Sequence, residues 1–118
     1  MSIKNALASV AVSDLAFAVQ WYERLFGRPA DSREMPDVAE WKFEGGGWLQ
    51  VYLGPERAGS GSFTLAVSNL DEQVADLKKC GIAFGNEMIT DKVKVLMIKD
   101  QDGNSIAFSE AIDRSMAR

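Results

Sequence analysis

The sequence predicts an α+β fold of two βαβββ modules, which form a curved, barrel-like mixed sheet with helices on the convex face and a cleft on the concave face. Three observations support this prediction. The string AVSDL at residues 11–15 nearly recurs as AVSNL at residues 66–70. Each copy is followed by a segment with helical spacing that ends at a glycine. Each of these segments is followed by stretches in which apolar and polar residues alternate, as they do in strands.

The two predicted helices have matching start and stop signals. In the first copy, apolar residues recur on one helical face after Asp14, a good N-cap residue, and the pattern stops at Gly27. In the second copy, Asn69 takes the N-cap position and Gly81 takes the stop. We therefore expect two helices in equivalent places of a duplicated unit.

The strands are predicted from alternation and from the turns that separate them. Each half opens with a strand through its AVS string and continues with three more after its helix. The predicted strands after the helices are residues 29–33, 41–44 and 48–53 in the first half, and 82–88, 92–99 and 105–110 in the second. Turns are expected at the glycines 45–47 and at residues 100–104.

The length and composition fit one domain. The chain has 118 residues, of which 47% are hydrophobic, and this content is enough to form a buried core. The expected organisation is module one at 3–54, a linker at 55–61, module two at 62–110 and a tail at 111–118. A single half cannot enclose a pocket, whereas two related halves side by side can.

Charge and composition also exclude several functions. The formal net charge is −4 and the basic residues are scattered, so we expect no nucleic-acid partner. No apolar run is long enough for a membrane span or resembles a signal peptide, and there is one cysteine; we expect a cytoplasmic protein without a membrane partner. The absence of histidine removes Ser–His and Cys–His nucleophiles and the commonest metal ligand.

Strand alternation predicts which side chains share a face: if Gln50 faces the cleft, so do Trp48 and Tyr52, and if Ala107 faces it, so does Ser105. One side is small or hydroxylic and the other aromatic, as in sites for ring-containing or cationic organic molecules. The alternative is that these rings only fill the cavity or pack at a dimer interface. The predicted lining is Leu7, Ser9, Trp41, Phe43, Trp48, Gln50, Tyr52, Ser62, Thr64, Ser105 and Ala107.

Two motifs resemble a known family. The string VSDL at residues 12–15 leads to WYERLFG at residues 21–27, and DQDGNSI at residues 100–106 resembles the family's D-P-D-G-N-x-I turn with Gln101 in the proline position. With the duplication, these strings resemble the glyoxalase/bleomycin resistance/extradiol dioxygenase superfamily, which has the vicinal oxygen chelate fold. The resemblance runs from about Asn5 to Glu110 and implies the same paired-module fold.

The resemblance also implies where metal-dependent members place their ligands. Transferred to this sequence, the four positions are Leu7, Gln50, Ser62 and Ala107. One amide and one hydroxyl are too few donors for a transition metal, so we expect no metal and no cofactor. Asp100 and Asp102 are the other possible ligands, but the pattern favours a solvated turn.

The resemblance therefore favours a metal-independent protein that sequesters an aromatic or cationic organic ligand, as bleomycin resistance proteins do, and that forms a homodimer. The first alternative is a metal-free lyase or isomerase acting on a small carbonyl compound, with Tyr52 or a buried glutamate as acid or base. The candidate glutamates are Glu40, Glu87 and Glu110. The second alternative, a metal-dependent glyoxalase or dioxygenase, lacks the ligands that its chemistry requires.

Overall fold

A computed structural model shows two helices and seven strands and describes residues 1–113 and residue 115. The elements follow the predicted order, except that the first half has three strands and the second has four. They are β1 (Ala8–Val12), α1 (Leu15–Phe26), β2 (Val38–Lys42), β3 (Trp48–Leu53), β4 (Ser62–Ala66), α2 (Leu70–Cys80), β5 (Met88–Ile89), β6 (Val93–Lys99) and β7 (Ser105–Ala111).

Both helices begin and end where the sequence predicts. The Asp14 side chain accepts a hydrogen bond from the N–H of Phe17, and the Asn69 side chain accepts one from the N–H of Glu72. Both helices stop at a glycine in the left-handed conformation, Gly27 with φ of 72° and Gly81 with φ of 71°. Side-chain capping and a left-handed C-cap satisfy backbone groups that have no partner within a helix.

The strands form two mixed sheets with related topology. Sheet one has the order β1-β3-β2, and sheet two has the order β4-β7-β6-β5. In each sheet the strand before the helix pairs in parallel with the last strand of the same half, and the other pairs are antiparallel. The duplicated strings of the sequence therefore correspond to a duplicated pattern of strand pairing.

Four strand predictions need correction. The strand predicted at 41–44 is β2, which covers residues 38–42. Residues 29–33 form only an isolated bridge, between Ser32 and Glu40, and of the predicted strand at 82–88 only Met88 is in a strand, β5. The segment before β5 joins sheet two through a single backbone bond, from Gly85 N–H to the carbonyl of Met97. Residue 111 belongs to β7 rather than to a tail; of the predicted tail, residues 114 and 116–118 lie outside the described residues.

The helices pack on one face of the sheets and share one hydrophobic core. α1 contacts β3, α2 contacts β6 and β7, and the two helices touch each other. Buried side chains from both halves form a single cluster, in which Tyr22, Trp41 and Phe108 are the largest. The sheets contact each other through β1 and β4 but are not closed into a barrel. The face of each sheet that points away from its helix is called its open face below.

The turn between β6 and β7 is buried at both ends and half-buried at residues 101–103, which corrects the prediction of a solvated turn. Asp100 is 6% exposed and Asn104 is completely buried. Asp100 Oδ1 accepts the backbone N–H groups of Asp102 and Asn104, both at 2.9 Å, as carboxylates do in tight turns. The second oxygen, Oδ2, accepts from the Tyr22 hydroxyl and from the Asn104 amide, both at 2.8 Å. The family-like motif therefore joins the β6–β7 turn to α1, β1 and the linker through hydrogen bonds.

Neither helix within residues 1–113 has both the length and the apolar character required to cross a bilayer.

Candidate functional site

A row of three polar side chains crosses the open face of sheet one. Strand pairing places Ser9 of β1, Gln50 of β3 and Glu40 of β2 next to one another. The Ser9 hydroxyl donates to Gln50 Oε1 at 2.9 Å, and Gln50 Nε2 donates to Glu40 Oε2 at 2.9 Å. Side chains on neighbouring strands lie close enough for such bonds. The row fixes the orientation of the Gln50 amide and leaves a carboxylate at one end.

Aromatic side chains flank this row along β3. Trp48 and Tyr52 lie two residues on either side of Gln50, so alternation places all three on the same face. Lys42 pairs with Trp48 in the β2–β3 register, and its Nζ lies 5.9 Å from the centroid of the indole ring. This distance is within the range of a cation–π interaction. The open face of sheet one thus combines two rings with a carboxylate, an amide and an ammonium group.

Trp41 and Phe43 do not lie on this face, and their predicted orientation is wrong. Trp41 pairs with Leu49 and is completely buried on the helix side, with its ring 6.0 Å from Tyr22 and 5.5 Å from Phe26. Phe43 follows the end of β2 and packs against Phe26 at 5.3 Å. The β2–β3 register puts Glu40 and Lys42 on the open face instead, since residues one position apart point to opposite faces.

The remaining predicted residues lie elsewhere. Parallel pairing of β4 with β7 places Ser62 opposite Ser105 and Thr64 opposite Ala107, on the open face of sheet two. Leu7 precedes β1 and is 50% exposed. The predicted lining therefore comes from two sheets, with Ser9, Trp48, Gln50 and Tyr52 on the open face of sheet one and the four residues of β4 and β7 on that of sheet two.

Lys42 was missed as a possible site residue, and Glu40 was considered only as a buried base. Once Gln50 is assigned to the open face, the pairing of β2 with β3 requires Glu40 and Lys42 to share that face. The two other candidate glutamates lie outside this surface. Glu110 accepts the N–H of Leu70 at 2.7 Å and so supports the start of α2, whereas Glu87 is exposed in the segment before β5.

The four positions that the resemblance assigns to metal ligands do not fit a transition metal. Leu7 and Ala107 have no donor atom, and the amide of Gln50 is held by Ser9 and Glu40. Ser62 offers only a neutral hydroxyl, which is a poor ligand beside the imidazole, thiolate and carboxylate groups that such metals prefer. Among the residues that the structure describes, no three Cys, Asp or Glu side chains come together as a metal-binding group.

A family model and several solved structures match the chain. The model for the Glyoxalase/Bleomycin resistance protein/Dioxygenase superfamily matches residues 5–108. A glyoxalase/bleomycin resistance protein from Catenulispora acidiphila DSM 44928 is 32% identical, with a TM-score of 0.81 over 90% of this chain and 96% of that chain. No curated protein matches the sequence.

Two further structures are similar in fold. TnmS3, an antibiotic binding protein from Streptomyces sp. CB03234, is 24% identical, with a TM-score of 0.78 over 94% of this chain and 98% of that one. The bleomycin resistance determinant encoded on transposon Tn5 is 16% identical, with a TM-score of 0.78 over 94% of this chain and the whole of the other. The family match covers most of the sequence, and the paired βαβ topology agrees with it. The chain therefore belongs to the glyoxalase/bleomycin resistance protein/dioxygenase superfamily.

Proposed function

We propose that this protein binds a small organic molecule on the open face of sheet one and sequesters it without a metal ion. The observation that carries the proposal is the hydrogen-bonded row of Ser9, Gln50 and Glu40 between the rings of Trp48 and Tyr52. Binding sites for organic molecules commonly combine apolar rings with a few oriented polar groups.

The two rings and Glu40 favour a ligand that is both aromatic and cationic, with its cation at Glu40 rather than beside Trp48, where the Lys42 ammonium group already lies. Trp48 and Tyr52 offer flat apolar surface for a ring system. Glu40 accepts one hydrogen bond from Gln50 through Oε2 and retains acceptor capacity for a protonated nitrogen. The net charge of −4 adds a weak attraction for cations. Two of the structural relatives are named an antibiotic binding protein and a bleomycin resistance determinant, which supports a small organic ligand here.

Binding without a metal is supported by the donor set. Sequestration needs affinity rather than Lewis-acid activation. Leu7 and Ala107, which occupy two of the four ligand positions, are therefore compatible with this role. The hydrogen bonds with Ser9 and Glu40 hold the Gln50 amide in one orientation. In that orientation its polar atoms contribute to ligand binding rather than to metal coordination.

A calorimetric titration with cationic aromatic compounds, bleomycin among them, tests this proposal. We expect micromolar binding that EDTA does not change. Removing the Glu40 charge with Glu40→Gln should weaken binding by about tenfold, the loss expected for a charge-assisted hydrogen bond. Glu44→Gln is the matched control, because Glu44 is an exposed glutamate in the β2–β3 turn. Equal effects of the two variants, or loss of binding with EDTA, would contradict the proposal.

One observation favours a second function, that of a metal-free lyase or isomerase acting on a small carbonyl compound. Glu40 lies beside Gln50 on an accessible face, and a carboxylate next to an oriented amide is a suitable arrangement for removing a proton near a carbonyl group. In this case turnover, rather than one-to-one binding, would be detected when the protein is incubated with α-ketoaldehyde or hydroxyketone substrates. Activity should fall by at least about a hundredfold in Glu40→Gln, the usual contribution of a general base.

We also propose that the protein forms a homodimer. Sheet two has exposed apolar side chains on its edge strand β5, namely Met88 and Ile89. Exposed apolar groups on a sheet edge are typical of surfaces that associate. Light scattering on the purified chain measures its mass directly, and a mass of about 13 kDa at every concentration would exclude the dimer.

A further inference from the structure

A cavity separate from sheet one lies between α1 and the β6–β7 hairpin. Its volume is about 470 Å³. α1 forms one wall with Trp21 and Arg24, the segment 81–85 after α2 forms a second, and Met97, Lys99 and Ser105 form the third. The volume is within the range of sites that hold small organic molecules. None of the lining residues belongs to sheet one.

The walls of this cavity are held in place. Trp21 packs edge-on against the buried ring of Tyr22, with 4.9 Å between the ring centroids. The segment 81–85 is tied at both ends, because Ile82 N–H donates to the carbonyl of Leu77 at 3.0 Å and Gly85 N–H donates to that of Met97 at 3.3 Å. The cavity is therefore formed by the fold itself and does not depend on a ligand to assemble it.

The charge of the cavity is opposite to that of the whole chain. Its charged lining residues are Arg24 and Lys99, and no aspartate or glutamate is among them. Both cations are on the surface, and neither forms an ion pair within the described part of the chain. Two cations without a carboxylate partner attract an anion, and a guanidinium group is especially suited to bind a carboxylate through two parallel hydrogen bonds.

Apart from Ser105, the other side chains of the lining are apolar, and two of the large ones are partly accessible. Phe84 is 37% exposed and Met97 is 42% exposed, although side chains of this kind are usually buried more completely. Together with Trp21 and Ile82 they offer a surface for a flat apolar group beside the two cations. A simple inorganic anion would leave this apolar surface uncovered.

We propose that this cavity is a second small-molecule site, which binds an organic acid with an aromatic body. The carboxylate contacts Arg24 and Lys99, and the ring lies against Trp21 and Phe84. This second site is separate from the sheet-one site, because its ligand has the opposite charge. Binding at it does not involve Glu40 or Gln50, so the two proposals can be tested independently.

The test uses sodium 2-naphthoate and its uncharged analogue 2-naphthamide as probes, titrated into the ¹⁵N-labelled full chain and followed by NMR. We expect shifts of the Trp21 indole N–H and of the backbone N–H groups of Gly81 and Gly85. The acid should bind at least about tenfold more tightly than the amide, the difference expected for a charge-assisted contact. Glu40→Gln should leave this binding unchanged, which separates it from the sheet-one site.

Charge variants identify the residues responsible. Arg24→Gln and Lys99→Gln should each weaken naphthoate binding by at least about fivefold and leave naphthamide binding unchanged. Lys78→Gln is the control, because Lys78 is an exposed cation in the last turn of α2 that does not line the cavity. Equal affinity for acid and amide, shifts confined to sheet one, or equal losses in all three variants would overturn the proposal.

Discussion

The hydroxyl of Tyr22 donates a 2.8 Å hydrogen bond to Oδ2 of Asp100, 78 residues away in the sequence. Tyr22 is completely buried and Asp100 nearly so. The bond joins α1 of the first half to the β6–β7 turn of the second, deep within the shared core. Buried polar groups are strongly destabilising when they lose their partners, so this contact makes the two halves depend on each other.

Replacing Tyr22 with phenylalanine tests that dependence. Tyr22→Phe keeps the ring and removes one hydrogen bond to a buried carboxylate, so we expect a loss of about 1.5–3 kcal/mol in the free energy of unfolding. Urea denaturation measures it. Tyr52→Phe is the control, since Tyr52 is only half-buried on the open face, and it should change stability by less than about 0.5 kcal/mol. Similar losses in both variants would show that the Tyr22 hydroxyl has no special role.

The same tyrosine predicts a pH dependence at alkaline pH. Burial raises the pKa of Tyr22 well above its ordinary value of 10.0, and the charge of Asp100 raises it further. Above pH 10 the unfolded chain therefore loses the Tyr22 proton while the folded chain keeps it, so stability falls as pH rises.

The titration of Tyr22 lowers the free energy of unfolding by up to about 1.4 kcal/mol for each pH unit above pH 10. It is missing from Tyr22→Phe, so the stability difference between wild type and variant should shrink between pH 9 and pH 11. A difference that stays constant across this range would contradict the raised pKa.

Asn104 should be the most sensitive polar position in the chain. Its Nδ2 donates to Ala11 O at 2.9 Å and to Asp100 Oδ2 at 2.8 Å, and its Oδ1 accepts the N–H groups of Gly59 and Gly61. Asn104→Asp keeps the shape, removes both donors and places a carboxylate against Asp100. We expect a loss of about 3 kcal/mol or more at neutral pH, by analogy with uncompensated buried charges.

The effect of Asn104→Asp should decrease at lower pH, because protonation of the new carboxyl group removes the repulsion and restores a donor. Denaturation at pH 7 and pH 4 compares the two conditions. Asn5→Asp is the control, since Asn5 is an exposed amide that donates only to Gly46 O. If the Asn104 variant is as stable as the control at pH 7, the proposed junction does not contribute to stability.

Alanine substitutions at two glycines distinguish the effect of a steric clash on stability from that of backbone conformation. Gly59 has φ of +92°, and a Cβ there would lie 2.6 Å from the carbonyl oxygen of Asp102; Gly81 has φ of +71° with no atom within 4 Å. Gly81→Ala should cost about 1 kcal/mol, because an L-residue is disfavoured in the left-handed region. Gly59→Ala adds a steric overlap with backbone, so its loss of unfolding free energy should be larger by at least about 1 kcal/mol. Equal losses in thermal or urea unfolding would show that the linker moves away from Asp102.

Two tryptophans, seven residues apart in sequence, should have opposite phenotypes. Trp41 is completely buried, so Trp41→Ala should cost about 3–5 kcal/mol. Trp48 lies on the open face of sheet one, so Trp48→Ala should cost less than about 1 kcal/mol while weakening the binding of a cationic aromatic ligand. Unfolding and calorimetric titration of both variants measure the two properties. A severe loss of stability in Trp48→Ala would place that residue in the core.

The local signals in the sequence predicted the helices and the central strands. Asp14 and Asn69 start helices and Gly27 and Gly81 end them, because capping depends on residues within one turn. β3 was predicted at its observed bounds, residues 48–53, since this short run of aromatic and aliphatic residues is bounded by glycines. These features depend on neighbours in the sequence and need no knowledge of the tertiary structure.

The wrong predictions concern residues whose orientation or burial depends on contacts with distant parts of the sequence. The side chain of Trp41 points to the core because β2 pairs with β3 in a register that places Trp41 opposite Leu49. This register depends on the geometry of the turn at glycines 45–47. Glycines allow several turn geometries, so the sequence does not determine the register. The residues of the β6–β7 turn are those of an ordinary solvated turn. Its ends become buried only when the chain folds and Tyr22 and the linker form hydrogen bonds with Asp100 and Asn104.

The reach of the Asn104 side chain has an evolutionary consequence. Ending the chain after residue 54 would leave the Ala11 carbonyl and the Tyr22 hydroxyl without the partners that hold them. We expect a chain that has lost either copy to be less stable, because buried polar groups are costly without their partners. The contacts between the copies thus favour inheritance of the repeated unit as a whole.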